Sequence, residues 1–589
     1  MSYLYEQETQ QAPRSGLLLL QCLVLGTFFV FALRFWYLQI HRSEEFAEQA
    51  RENQLREEPI YSTRGQIMDR NGRVLAVNEP GYALTLVRED CKDLDATLAQ
   101  VSVWTDIELD KLKKKFDKGK RNVKPFQRQT LVSDISFDLV SKIEANTVFW
   151  PGLEIQVKPR RLYPQGPLVS HLLGYVAEVS EEDLARNSEL SSQDIVGKQG
   201  LELLLDNQLR GLKGRRQFEV DAAGRRLSSE TLRQPVAGED VVMSIDVDLQ
   251  AFIYNHLEGE AGGVVVLDPF TGQVLALVTQ PSYDNNAFTV GLTGSQWQAL
   301  QNHPRHPLQN RVIQSVYPPG SVWKLVVAAA GLQERFITPG TSVFCSGAYT
   351  LGTREFRCWK KDGHGSVNLK EALIHSCDVY FYQLGERLGV DRMSRFAHAC
   401  GFGEPTGIDL PHEKGGLVPT RAWKRKRFND SWHGGENLNM AIGQGYTLVQ
   451  PLQVARYVAA LLNGGKLLKP NLLANAPSTE QGDLHLNEEH RKLILQAMED
   501  TVQRGTATSI RRTDVHIGGK TGTAQVVRID QVRKKVEDMP YRTRDHAWLA
   551  TWGQRDDKAY VVVALKEHGG HGGSAVGPLV RDIYDYLFR

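Results

Sequence analysis

A helix that is apolar on every side is stable only inside a domain, and one such helix fixes the centre of this chain. Pro318-Pro319-Gly320-Ser321-Val322-Trp323-Lys324 runs directly into Leu325-Val326-Val327-Ala328-Ala329-Ala330-Gly331-Leu332. Pro319 and Gly320 predict a turn, Ser321 the opening of a helix, and the apolar run its burial. Side chains three apart share a helix face, so the Ser321 hydroxyl and the Lys324 amine can meet. A serine becomes a nucleophile when a base takes its proton. A lysine is that base only where burial or a neighbouring cation holds it neutral. Alone, Ser-x-x-Lys reads first as a capping serine beside a snorkelling lysine; residues further along the chain overturn that reading.

At 589 residues the chain exceeds one ordinary core, so two or more domains are expected. Its 70 basic and 69 acidic residues balance, which gives no footing for a nucleic-acid partner. One long apolar run, Gly16 to Leu33 and on through Phe35-Trp36-Tyr37-Leu38, comes close to the roughly 20 residues a bilayer crossing needs. Its aromatic end suits the membrane interface. No small-x-small cleavage site follows, so the expectation is an uncleaved single-pass anchor over 17–38 behind a short cytoplasmic tail, 1–16. Arg14, Arg34 and Arg42 nearly cancel across it, leaving orientation undecided by charge. From Gln39 to Glu58 the chain is polar and helix-prone, as a stalk leaving the membrane would be.

The next stretch carries no convergent nucleophile, base and acid. Thr63 to Ala76 reads as two short strands about the Asn71-Gly72 turn. The lysine-rich run Asp110 to Arg121 reads as a solvated helix face. Arg160-Arg161-Leu162-Tyr163-Pro164, His171 to Tyr175 and Gly197 to Gly211 alternate turns with short apolar segments. A pedestal over 39–238 is expected, ending where Pro235, Gly238 and Glu239-Asp240 precede new strand-like patterning.

From 239 to 589 the pattern is strands at both ends with helices between, an α+β arrangement. Gly263 to Leu267 and Gln273 to Val278 read as a buried hairpin about Asp268-Pro269-Phe270-Thr271-Gly272. Asn368 with Glu371 three residues on predicts a helix start, running through Ile374. It breaks at Ser376-Cys377-Asp378, and Asp378 predicts the cap of a second helix, Val379 to Leu388, stopped by Gly389. Ser376 and Asp378 can then both face a cleft. Gly518-Gly519-Lys520-Thr521-Gly522-Thr523 reads as a strand of small residues able to accept an extended peptide, with Lys520 as a cation and two threonine hydroxyls as donors.

Ser321-x-x-Lys324, Ser376-x-Asp378 and Lys520-Thr521-Gly522, in that order, form the motif set of penicillin-binding proteins and β-lactamases. The chain resembles a class B penicillin-binding protein, most closely the cell-elongation branch, over nearly its whole length. Asp378 stands where many relatives have asparagine; elongation members often carry an acid there. The resemblance implies a β-lactamase/transpeptidase-like domain, an antiparallel sheet flanked by helices, behind an elongated dimerisation-type pedestal and one transmembrane helix. It implies a serine D-Ala-D-Ala transpeptidase or carboxypeptidase acting on peptidoglycan stem peptides in the periplasm, anchored in the inner membrane, active in elongation and inhibited by β-lactams. Lys324 would be the base for Ser321, and the Ser321 and Thr523 backbone amides the oxyanion hole. Ser376 would relay a proton, Lys520 would hold that relay, and Thr521, Gly522 and Thr523 would bind the substrate. The acyl transfer itself needs no cofactor. With no glycosyltransferase motif in the pedestal, a SEDS-family partner of RodA type and an MreC-type scaffold are implied. The alternatives are a division-type relative, a β-lactam hydrolase, a β-lactam sensor and an inactive scaffold. A hydrolase rarely carries an anchor and pedestal. Sixteen cytoplasmic residues cannot form a signalling domain, and a scaffold would not need three intact motifs.

Between the first two motifs lie Cys345, Cys358, His364 and Cys377, spaced Cys-x12-Cys-x5-His-x12-Cys. Three cysteines and a histidine are a structural zinc set. The competing reading is a Cys345–Cys358 disulfide in an oxidising compartment, with His364 on a solvated turn and Cys377 unpaired. If zinc is present, Cys377 held behind the cleft would orient Ser376 into it.

Overall fold

The computed structural model describes residues 14–46, 55–120, 123–187, 189–221, 226–526 and 539–589. Residues 47–54 of the expected stalk and 1–13 of the expected tail lie outside the described residues. The chain divides into two compact units, one of residues 1–62 with 212–236 and the other of 63–211 with 237–589.

In the first unit, helix α1 (Arg14–Trp36) continues into a π-helical turn at Tyr37–His41. Together they have the length and composition of a membrane span, and their large apolar side chains are exposed. The unit also holds an antiparallel three-stranded sheet of β1 (Leu55–Ile60), β2 (Gly214–Val220) and β3 (Arg226–Arg233), with β2 central.

The second unit contains most of the expected pedestal together with everything from Ala237 onward. Ile67–Met68 pairs antiparallel with the strand Val74–Leu86, as the Asn71-Gly72 turn predicts, and Asp69 Oδ1 accepts from both Asn71 N and Arg73 N at 2.8 Å. Val241–Val242 then adds to Ile67–Met68 in parallel. The lysine-rich run forms the helix Leu109–Lys120, burying Leu112 and Phe116 and leaving most of its lysines exposed. Ser282-Tyr283 rests on the pedestal segment: Ser282 Oγ donates to Pro167 O (2.7 Å) and Tyr283 Oη to Ser170 O (3.1 Å). A buried ion cluster knits distant parts of the segment together. Glu202 accepts from Arg64 Nε (2.6 Å) and Arg161 Nε (2.7 Å), and Arg64 reaches Asp206 (2.8 Å).

After helix α2 (Val247–His256), strands β4 (Gly262–Leu267) and β5 (Val274–Gln280) form the expected hairpin, every residue buried. They lie at one side of a five-stranded antiparallel sheet completed by three C-terminal strands. These are β10 (His516–Ala524), β11 (His546–Arg555) and β12 (Lys558–Lys566), in the order β5-β4-β12-β11-β10. Because strand side chains alternate between faces, a run of valines serves two cores. Val264, Val266 and Val562 pack with α2, α9 (Glu488–Arg504) and the closing helix α10 (Gly577–Leu587). Val265 and Val563 face the larger core with α3 (Lys324–Gln333) and α8 (Pro451–Leu462). The helix α3 is buried from Lys324 to Leu332, as its all-apolar sequence requires.

Between α3 and α8 lie four short strands and four helices. Strands β6 (Ser342–Cys345) and β9 (Gly365–Asn368) pair, as do β7 (Ala348–Leu351) and β8 (Arg354–Arg357). Helix α4 (Leu369–Ile374) starts as expected, the Asn368 side chain accepting from Glu371 N at 3.0 Å. Helix α5 (Asp378–Ala399) differs from expectation. Cys377, not Asp378, is its N-cap; the expected stop is present at Gly389, whose non-helical backbone (φ 69°, ψ 163°) separates two helical stretches, with Val390, Met393 and Phe396 buried in the second. Helices α6 (Arg421–Phe428) and α7 (Gly434–Ala441) follow.

Candidate active site

Ser321 lies in a single 3-10 turn, Gly320–Trp323, that feeds α3, so it sits at the mouth of the helix and not within it. The turn crosses β10 backbone to backbone. Gly320 has φ 53°, and a Cβ there would lie 2.6 Å from Thr523 O; a Cβ on Gly522 would lie 2.9 Å from Pro319 O. Only glycine at both positions lets the serine turn approach the strand this closely. Gly320 N donates to Gly443 O (2.9 Å) and Gln444 Nε2 to Thr523 O (3.2 Å), so the loop after α7 clamps turn and strand together.

Two fully buried amines converge on Ser376. Lys324 Nζ donates to Ser376 O (2.9 Å) and Oγ (3.4 Å), and Lys520 Nζ donates to the same Oγ (2.9 Å). Ser376 is itself left-handed (φ 53°), a conformation a non-glycine residue holds only where its surroundings compel it. Burial, and then the charge of Lys324, push Lys520 well below the ordinary lysine range.

Lys324 meets a different environment from the one expected. Its third bond is an ion pair with Asp378 Oδ1 at 2.6 Å, and none of its recorded bonds among the described residues goes to Ser321. Asp378, at the first position of α5, can reach the amine because Ser376 and Cys377 hold non-helical dihedrals that turn the chain between α4 and α5.

Two contacts escape sequence reasoning. Thr521, expected to face substrate, is 8 % exposed, and its hydroxyl is bonded to Thr506 Oγ1 at 2.7 Å. Thr506 follows α9 and belongs to no motif. Trp359 N donates to Asp378 Oδ2 at 3.0 Å, tying the second motif to the cysteine-bearing hairpins. Its one sequence signal is adjacency to Cys358.

The four residues of the expected zinc set do come together. One ligand atom from each of Cys345, Cys358, His364 and Cys377 lies within 4.8 Å of the others. His364 Nδ1 is 3.6 Å from Cys345 Sγ and 3.5 Å from Cys358 Sγ. Tetrahedral zinc, with sulfur at about 2.3 Å and nitrogen at about 2.1 Å, sets neighbouring S and N ligands about 3.6 Å apart. The donor set therefore fits the metal. All six cysteines are free, so the Cys345–Cys358 disulfide is not formed.

Residues 262–585 match the family described as penicillin binding protein transpeptidase domain, and residues 59–243 the penicillin-binding protein dimerisation domain. The chain is 32 % identical to peptidoglycan D,D-transpeptidase MrdA of Acinetobacter baumannii, over 98 % of this chain and 88 % of that protein. It is 33 % identical to the MrdA protein of Escherichia coli K12, over 93 % and 90 %. Among solved structures it resembles penicillin-binding protein PBP2 of Helicobacter pylori in complex with MreC, at 32 % identity and TM-score 0.80, over 91 % of this chain and 99 % of that one. It also resembles Pseudomonas aeruginosa PBP2 in complex with WCK 5153, at 30 % identity and TM-score 0.68, over 90 % and 96 %. With both of the family's domains matched in order and relatives 32–33 % identical over nearly the whole chain, the chain belongs to the penicillin-binding proteins.

Proposed function

We propose that the chain is an elongation-type peptidoglycan D,D-transpeptidase, with Ser321 as nucleophile, residues 239–589 as the catalytic domain and 39–238 as its pedestal. The observation that carries this reading is the convergence of Lys324 and Lys520 on Ser376 beside the Ser321 turn. Ser321 Oγ attacks the penultimate carbonyl of a stem ending in D-Ala-D-Ala. The Oγ–C ester forms, the peptide C–N bond breaks, and D-alanine leaves.

Lys324 is the general base that takes the Ser321 proton, its Nζ held 2.6 Å from Asp378 Oδ1. The proton taken from Ser321 then passes from Lys324 through Ser376 Oγ, which lies between the two amines, to the departing D-alanine nitrogen, and Lys520 orients that hydroxyl. Thr523 and Ser321 backbone amides, brought together by the Gly320 crossing, serve as the oxyanion hole, where one donor is typically worth about 10²–10³ in rate. Gly522 lets the serine turn lie against β10, and Thr523 with Thr521, the latter held by Thr506, receives the substrate carboxylate. An amine from a neighbouring stem then attacks the ester, forming the cross-link and restoring Ser321. Given a polymer with pentapeptide stems, the chain should release D-alanine and yield cross-linked dimers. D-Alanine release with no dimer would reduce the reading to a carboxypeptidase, and release of neither would reject it.

The same reading places α1 in the inner membrane with the catalytic domain in the periplasm. It assigns polymerisation to a SEDS-family partner of RodA type and docking to an MreC-type scaffold. Support comes from relatives, one solved with MreC and another, 30 % identical with a TM-score of 0.70, described as a peptidoglycan synthase complex coordinating polymerization and crosslinking.

We further propose a structural zinc ion on Cys345, Cys358, Cys377 and His364 Nδ1. It would cross-link the β6–β9 hairpins to the start of α5. With Cys377 fixed, Ser376 and Asp378 on either side of it are fixed as well. Purified protein should contain about one zinc per chain. Cys377→Ser should lower both zinc content and the rate of penicillin acylation; a metal-free chain that acylates at the same rate as its zinc-loaded form would reject the site.

A further inference from the structure

The charges of the whole chain balance, yet helix α6, Arg-Ala-Trp-Lys-Arg-Lys-Arg-Phe, carries five cations and no acid. Two of the five are engaged in ion pairs. Lys424 is buried and held by Asp430 (2.9 Å) and Glu436 (2.7 Å), and Arg421 pairs with Asp391 (2.9 Å). Arg425, Lys426 and Arg427 are exposed and make no ion pair among the described residues, and the Arg427 guanidinium lies over one side of the Phe428 ring, 6.0 Å from its centroid. Cations in a last turn complement the helix dipole, worth typically about 0.3–1 kcal/mol at an exposed site. That accounts for a basic residue there but not for what stands beside it.

Phe428, at the end of α6, is 50 % exposed. It does not stand alone: its ring centroid is 5.6 Å from Trp423 and 5.4 Å from Tyr446, and Tyr446 is 6.3 Å from Trp432. An aromatic ring half in water beside a rigid ring cluster presents a flat apolar face, the kind of surface on which the C–H face of a sugar stacks. The Lys424 ion cluster fastens the loop 429–433 that carries Trp432 to the start of α7, so the patch is preformed.

The patch is also tied to the reaction centre. Tyr446 is two residues beyond Gln444, which bonds Thr523 O, and three beyond Gly443, which bonds Gly320 N. Two residues span at most about 7 Å, so a polymer lying on the ring cluster lies beside the Ser321 cleft. The β7–β8 hairpin adjoins the same region: side chains at Gly434 and Gly435 would meet Leu351 and Phe356. Arg354 in it, and Lys360 and Lys361 just after it, are exposed.

We infer that this surface is a binding site for a peptidoglycan strand that supplies the acceptor stem. Stem carboxylates would lie on Arg425, Lys426 and Arg427, and a sugar face on Phe428. The inference rests on the transpeptidase reading above and names the part of the molecule that meets the polymer, outside the cleft that meets D-Ala-D-Ala. A β-lactam, which occupies the cleft alone, does not use it.

The test compares full-length wild type in detergent with the triple variant Arg425→Glu, Lys426→Glu, Arg427→Glu and with Phe428→Ser, in co-sedimentation with purified peptidoglycan sacculi. Wild-type binding should weaken as salt rises. The triple variant should bind about tenfold less at low salt and lose most of that salt dependence. Phe428→Ser should weaken binding at every salt concentration. Both variants should acylate with penicillin at the wild-type rate, which shows that they are folded. Undiminished sacculus binding by the triple variant would overturn the inference and leave the patch to an acidic protein surface. Failure of wild type to acylate would instead strike the transpeptidase reading, so the two failures are distinguishable.

Discussion

Replacing Ser321 by alanine should abolish labelling by a fluorescent penicillin while leaving the protein folded. The hydroxyl makes no recorded hydrogen bond among the described residues and lies in a 3-10 turn, not at the cap of α3. Even a true capping hydroxyl contributes only about 1 kcal/mol. What holds the turn is the Gly320 crossing and the bond from Gly320 N to Gly443 O, which alanine at 321 does not touch. Chemically the loss is complete, because no other group can form the acyl bond. The check is gel fluorescence beside the thermal melting curve: a labelled alanine variant would remove Ser321 from the mechanism.

The second large effect concerns stability. Glu202 is fully buried between Arg64 and Arg161, with Tyr163 Oη a further 3.3 Å donor. Glu202→Ala leaves two guanidinium groups without their shared counter-ion, Arg161 with no other recorded carboxylate and Arg64 with Asp206 alone. Breaking a buried pair from one side typically costs about 3–5 kcal/mol. The variant should therefore unfold at a markedly lower urea concentration, and Glu202→Gln, which keeps the shape and one acceptor, should fall between. A loss under about 1 kcal/mol would mean that the cluster is relaxed or hydrated in solution.

These two sites differ in how far the sequence exposes them. Ser321, Lys324, Ser376 and Lys520 are legible because each lies in a short motif whose spacing carries chemistry, and the order of the motifs names the family. The β4–β5 hairpin and the buried α3 are legible because apolar runs bounded by turn residues have few other uses. The four zinc-set residues are legible because cysteine and histidine within one stretch have few joint roles.

Contacts between distant segments are not legible. The Arg64–Glu202 pair joins residues 138 apart in sequence, and nothing local distinguishes Glu202 from an exposed helix glutamate. The Lys324–Asp378 ion pair joins two motifs that were each recognised, yet their contact depends on how Ser376 and Cys377 turn the chain. Thr506 is ordinary in sequence and acquires its place only when α9 packs on β10 and sets it against Thr521.

The measurement that bears most directly on the account is the intact mass of the protein after incubation with a penicillin, followed by peptide mapping. The account predicts a single stable adduct of one intact penicillin, on the peptide containing Ser321, that persists after free drug is removed. No adduct, an adduct on another residue, or rapid return to the unmodified mass with hydrolysed drug would contradict it, the last by making the chain a β-lactam hydrolase.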